Sequence, residues 1–412
     1  MNERWNLNPI YTGFDDPAFG GDLEKLGDTV RELEELSRDL TGDSCQVLKR
    51  GLALQERLTE LAEKLFCYAE LRQAADTMDA QAGSQMGRIQ AVYSESAAPV
   101  AAFESWLAQL PNLDDLIAED EDLRDYRFLL EQKRLSSRHL LPGVGERVMA
   151  KLKISGGNAW AELQQYLTST LRVQYRGETL GLSAVRNLAY SPDARVRRDA
   201  YRAELDSYPA IADSVAYALN SLKLETLNEC ALRGYASPLE RTLEQSQMEK
   251  ATLDAMFAAI DERLPAFRQY LRLKAQALGH ENGLPWYDLF APMGASSTRF
   301  TTREARDYLV ELFSHFDSEL SRMVARAFDE GWIDFFPRSG KAGGAFCAGV
   351  NAIGQSRILT NFDGTLSDVV TLAHELGHAF HNQCIRAHRP LNRDYSMPLA
   401  ETASTFNECV VM

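Results

Sequence analysis

The chain has 412 residues, 45% hydrophobic and 25% charged, with a net charge of −15. Such a composition excludes a disordered or collagen-like chain, and the length suggests two or three structural units rather than one core. The acidic balance repels a phosphate backbone and argues against nucleic acid as a partner.

No apolar run approaches the ~18 residues of a membrane span, and Met1-Asn2-Glu3-Arg4-Trp5-Asn6 lacks the apolar core of a signal peptide. The expected location is therefore cytoplasmic, with no membrane partner. Six scattered cysteines (Cys45, Cys67, Cys230, Cys347, Cys384, Cys409) with no C-x-x-C pair read as reduced, mostly buried thiols.

In chain order, Leu23, Leu26, Val30, Leu33, Leu36 and Leu40 recur at steps of three and four and predict a helix with one buried face. Residues 46 to 109 hold few breakers and predict one or two more helices, forming a wall packed on the rest of the protein. The alternative for these is a coiled-coil-like module that binds partners. Pro111 ends the region, and further helices to about residue 170 are interrupted by Pro142-Gly143-Val144-Gly145 and Gly156-Gly157. Arg172 to Leu180, with Arg176-Gly177 in the middle, predicts a small hairpin. Pro192-Asp193 opens another helical stretch that runs to about 280. In it Arg195, Arg197 and Arg198 lie between Asp193 and Asp199 and read as a solvated face.

A break at Pro285-Trp286-Tyr287-Asp288-Leu289 precedes helices from Thr301 to about Glu330. From 333 to 362 the pattern changes. Glycines punctuate apolar residues, and Ala345-Phe346-Cys347 and Ile358 to Phe362 predict short strands. The run Gly340-Lys341-Ala342-Gly343-Gly344 lacks the spacing of a phosphate-binding loop. It reads instead as a flexible loop beside an edge strand, where a peptide can add as a further strand. A helix from Leu366 to about Cys384 follows.

That helix carries His374-Glu375-Leu376-Gly377-His378. Two histidines four apart stand on one helix face, so both imidazoles can reach one ion. Glu375 lies about 100° around from His374, beside the ion, where a carboxylate can take a proton from activated water. The alternative, two unrelated histidines on a solvated face, fits poorly with the apolar neighbours Val369, Val370, Leu372, Ala373, Leu376, Ala379 and Phe380. Hydrolytic zinc takes three protein ligands and keeps an open position. A third histidine at the metzincin spacing is absent, since those positions hold His381 and Cys384. A carboxylate on a following helix is the remaining source, and Glu401 opens the apolar segment Ala400 to Phe406 after Pro390 and Pro398. Glu408, two turns on, is either support for the site or a surface carboxylate. His381 and His388 read as structural.

These motifs resemble the M3 metallopeptidases, and most closely the oligoendopeptidase F branch. The resemblance rests on Thr371-Leu372-Ala373-His374-Glu375-Leu376-Gly377-His378-Ala379 and Met397-Pro398-Leu399-Ala400-Glu401-Thr402-Ala403-Ser404. It extends to Trp5-Asn6-Leu7, Ile10-Tyr11, Tyr287-Asp288-Leu289 before Ala291-Pro292, and Gly340-Lys341 leading to Gly344-Ala345-Phe346. It implies one zinc ion per chain on His374, His378 and Glu401, with Glu375 as general base. The implied fold is mainly α, a multi-helix clam-like zincin with a small β-sheet near the active site.

The expected units are 1–112, a long-helix region, 113–190, a helical region with the hairpin, and 191–412, the catalytic domain. The expected partners are short peptide substrates. The resemblance also implies that the family's oxyanion-stabilising groups lie beyond Met412. The chain is then a fragment, a truncated frame or one piece of a split enzyme. Alone it is expected to bind zinc but cleave slowly or not at all, a C-terminal segment being its missing partner. The rival reading is a catalytically inactive helical scaffold or binding protein.

Overall fold

The computed structural model describes residues 2–294 and 299–412. Its first layer is built from the helices Pro17–Arg38, Ser44–Ala75, Ala80–Ser94 and Ala97–Ala108. Aspartates start three of them. The side chains of Asp16, Asp43 and Asp79 accept backbone N–H groups of the first turn. Asp79 also explains why 46–109 holds three helices and not one or two. It accepts from Gln81 N and Ala82 N at 3.0 Å each and opens a new helix after the chain turns at Asp76. The stripe Leu23, Leu26, Val30, Leu33 and Leu36 is buried in one core with Leu48, Leu52, Leu58, Leu65 and Phe103.

Short helices lead to the predicted hairpin, Arg172–Tyr175 against Glu178–Gly181, with Tyr175 facing Glu178. Its turn residues Arg176 and Gly177 have φ of 48° and 89°. Two consecutive positive φ values give a turn whose twist matches the strands. Asp193 caps the helix Ala194–Ser207 as the sequence suggests. The solvated arginine face is only partly correct. Arg195 and Arg198 are exposed, but Arg197 is 3% exposed. Its guanidinium reaches Asp288 Oδ1 at 2.7 Å and donates to the carbonyls of Ser191 and Pro192. Asp288 lies 91 residues further along the chain, outside any local pattern.

The sheet near the site has the strand order Ile333–Asp334, Gln355–Leu359, Phe346–Val350. The first pair is parallel and the second antiparallel, with Phe346 opposite Leu359 and Val350 opposite Gln355. Residues alternate between two cores. Phe346, Ala348, Val350 and Leu359 face the N-terminal helices. Cys347 and Ile358 face a second core of Phe313, Phe328, Trp332, Leu372, Leu376 and Ala379. The strand expected at Ile358 to Phe362 falls at Gln355–Leu359 and is the central one, while Phe346–Val350, beside the glycine-rich loop, lies at the edge.

The first residues of the chain join this sheet region. Asn6 N donates to Gly331 O at 2.7 Å, and Phe335 N to Glu3 O at 3.0 Å. Arg357, fully buried, donates from Nε to Asn6 O at 2.9 Å. Burial pushes its pKa down to about 10.

The loop at Gly340–Ala345, expected to be flexible, is anchored. Lys341 is buried, with Nζ 2.6 Å from Asp334 Oδ1 and donating to the carbonyls of Phe336 and Thr360. Burial holds its pKa down at about 8 against the pull of Asp334. Gly340 donates to Ser169 O, and Asn361 Nδ2 donates to the carbonyls of Ala342 and Gly344. All six cysteines are free, but the expectation that most are buried is corrected. Cys230 is buried, while Cys384 and Cys409 are exposed.

Candidate metal centre

The helix Leu366–Ile385 carries the motif. It starts with a capping box in which the Thr365 side chain accepts Asp368 N–H and the Asp368 carboxylate accepts Thr365 N–H at 2.8 Å. Val369, Leu372, Ala373, Leu376 and Ala379 bury one face in the second core, which fixes the direction of the opposite face. The chain then turns and returns as the helix Met397–Val411, with Pro398 in its first turn.

The two helices cross closely at Gly377. A Cβ there would lie 2.6 Å from Ala403 O and 2.8 Å from Ser404 Cα, both backbone atoms that cannot swing aside. Asn407 Nδ2 fastens the pair by donating to Ala373 O at 3.1 Å. The motif reading assigns Gly377 no role of its own, although a glycine in a helix interior is a signal of such a close approach. Gly377→Val should separate the helices and cost about 2–3 kcal/mol through overpacking, read as a lower midpoint in urea unfolding. An unchanged midpoint would show that the crossing yields freely.

The crossing brings three predicted residues together. Glu401 Oε2 lies 3.3 Å from His374 Nε2 and 3.6 Å from His378 Nε2. The ligand atoms of all three lie within 4.8 Å of one another, the group among the described residues that can hold a metal ion. A tetrahedron with ligands at 2.0–2.1 Å has edges of about 3.3–3.4 Å, so both separations suit a small ion between the groups. Two imidazoles and a carboxylate are a donor set for a divalent transition metal.

The surroundings favour this use. Burial lowers the pKa of His378 against the opposing charge of Glu401, which favours the neutral ring with its lone pair. His374 Nδ1 lies 2.5 Å from Glu408 Oε1. That contact orients the ring with Nε2 toward Glu401 and resolves the two options for Glu408 in favour of support. Ser404 Oγ donates to Glu401 Oε2 at 2.7 Å.

Glu375 is 5% exposed. Burial pushes its carboxyl up to about 7, opposed by His374 and reinforced by Glu401. It stands near Cys347 of the edge strand, whose thiol is raised by burial and then by the charge of Glu375. His381 stays outside the group, its ring 4.5 Å from that of Tyr395. His388 also lies outside it, in the turn where its carbonyl accepts from Arg393 Nε.

The sequence model of Peptidase family M3 matches residues 187–412, and that of Oligopeptidase F matches residues 102–172. Group B oligopeptidase PepB of Streptococcus agalactiae is 27% identical over 421 residues, covering 99% of this chain and 69% of that protein. Oligopeptidase PepF of Bacillus subtilis is 23% identical, covering 99% of this chain and 62% of that protein. Among solved structures, oligoendopeptidase-F from Enterococcus faecium superimposes with a TM-score of 0.65 at 20% identity, over 95% of this chain and 66% of that one. PZ peptidase A with inhibitor 2 superimposes with a TM-score of 0.74 at 16% identity, over 99% of this chain and 68% of that one. The structural likenesses carry the mainly helical zincin fold.

Proposed function

The chain belongs to peptidase family M3, and from that premise we propose a zinc endopeptidase that hydrolyses short oligopeptides. One observation carries the reading: His374 Nε2, His378 Nε2 and Glu401 Oε2 converge beside a buried Glu375. His374, His378 and Glu401 would hold the ion. Zinc bound there supplies Lewis acidity for the scissile carbonyl and for the water that attacks it.

Glu375 accepts a proton from that water as the oxygen–carbon bond forms, and returns it to the nitrogen as the carbon–nitrogen bond breaks. A carboxyl raised toward neutrality by burial suits both transfers. Glu408 holds the His374 ring in register through Nδ1. The edge strand Phe346–Val350 binds the peptide main chain by strand addition, which recognises extended peptides whatever their side chains.

The match to the family from residue 187 supports 191–412 as the catalytic unit, after 1–112 and 113–190. No helix among the described residues is long and apolar enough to cross a membrane, and the unpaired cysteines suit a reducing compartment. The proposed location is the cytoplasm.

The test is metal removal. Purified protein should contain one zinc per chain by elemental analysis. Stripping with 1,10-phenanthroline should end cleavage of a quenched fluorescent peptide, and added zinc should restore it. Equal cleavage by metal-free and zinc-loaded protein would overturn the assignment.

A further inference from the structure

The helix Ser44–Ala75 runs beside the loop and edge strand in the opposite direction, and three contacts fix this alignment. Ala342 N donates to Ala74 O at 2.9 Å, the Cys67 thiol lies 4.0 Å from Gly349 O, and Asn351 Nδ2 donates to Glu63 Oε2 at 3.1 Å. Residues 63, 67, 70 and 74 share one stripe of a helix. Glu70 therefore stands between the contacts, over the stretch that contains Phe346 and Cys347. Cys347 in turn lies near Glu375.

Glu70 is exposed to solvent, yet crowding by protein raises its carboxyl above the usual range. The two facts agree if the residue lines the wall of a cleft. Among the described residues its carboxylate has no hydrogen bond or ion pair, and Arg72, two residues on, pairs with Asp79 instead. A partly desolvated carboxylate without a partner gains most from a cation brought by a ligand.

We propose that Glu70 is a specificity-determining residue, whose carboxylate receives a lysine or arginine side chain of a peptide laid along Phe346–Val350. This rests on the peptidase reading above. Because Cys347 lies near Glu375, the favoured position is one of those flanking the scissile bond.

The experiment compares quenched peptides that carry lysine or isosteric, neutral norleucine at each position flanking the scissile bond. In Glu70→Gln the ratio of kcat/KM for the lysine peptide to that for the norleucine peptide should fall about tenfold at one position. Glu70→Lys should invert the preference toward a glutamate-bearing peptide. An unchanged ratio at every position in both variants overturns the proposal. Binding of the same peptides to Glu375→Gln protein, read by fluorescence anisotropy, supplies the same ratio without turnover. The peptidase reading fails separately, if norleucine peptides are cut equally by wild-type and Glu375→Gln protein.

Discussion

Glu375→Gln protein is expected to keep its metal and to cleave peptides about 10²–10⁴-fold more slowly, the usual contribution of a positioned general base. Glutamine has nearly the same shape as glutamate, so the buried site keeps its packing. Its amide cannot take a proton from water near neutral pH, and so the step proposed for Glu375 is lost. The expected result is a fall in kcat with zinc content unchanged, measured on one preparation by peptide hydrolysis and elemental analysis. Undiminished hydrolysis would show that another group is the base. Loss of zinc would move Glu375 into the ligand set, against the geometry in which Glu401 and not Glu375 faces both imidazoles.

His374→Ala and His378→Ala are each expected to abolish stoichiometric zinc, while Glu401→Ala weakens binding. The three proposed ligands have no spare donor beside them. His381 is turned against Tyr395, and Glu408 contacts Nδ1 of His374, not the nitrogen that faces Glu401. Equilibrium dialysis gives the comparison, with Glu408→Ala as an internal scale. Removing an orienting carboxylate costs about 10–100-fold in metal affinity, and the histidine changes should cost more than that. Unchanged stoichiometry in all three ligand variants would discard the assignment.

What the sequence disclosed follows from how far each interaction reaches along the chain. The leucine stripe of the first long helix, the Arg176-Gly177 turn and the facing of His374 and His378 all depend on residues within one or two turns, and each appears in the structure. Glu401 was legible because the prolines after the motif leave room for a return helix. Arg197 was misread because its partner Asp288 lies far along the chain. The central place of Gln355–Leu359 depends on Ile333–Asp334 pairing on its other side, which no local pattern announces. Lys341 sits in a glycine-rich run that suggests mobility, and only the fold shows its ammonium enclosed by carbonyls and Asp334.

The contacts of Glu3 and Asn6 with Gly331, Phe335 and Arg357 have a consequence for synthesis on the ribosome. At about 5–20 residues per second, roughly 18–70 s separate the making of Asn6 from that of Arg357. Through that interval the opening segment has no partner for its backbone, and the apolar side chain of Trp5, buried once folding ends, lacks part of its cover. The N-terminal helices can assemble early through contacts among themselves, but the segment ahead of them must wait. Newly made chains should therefore expose this segment to holdase chaperones for most of their synthesis, and release it when the sheet closes.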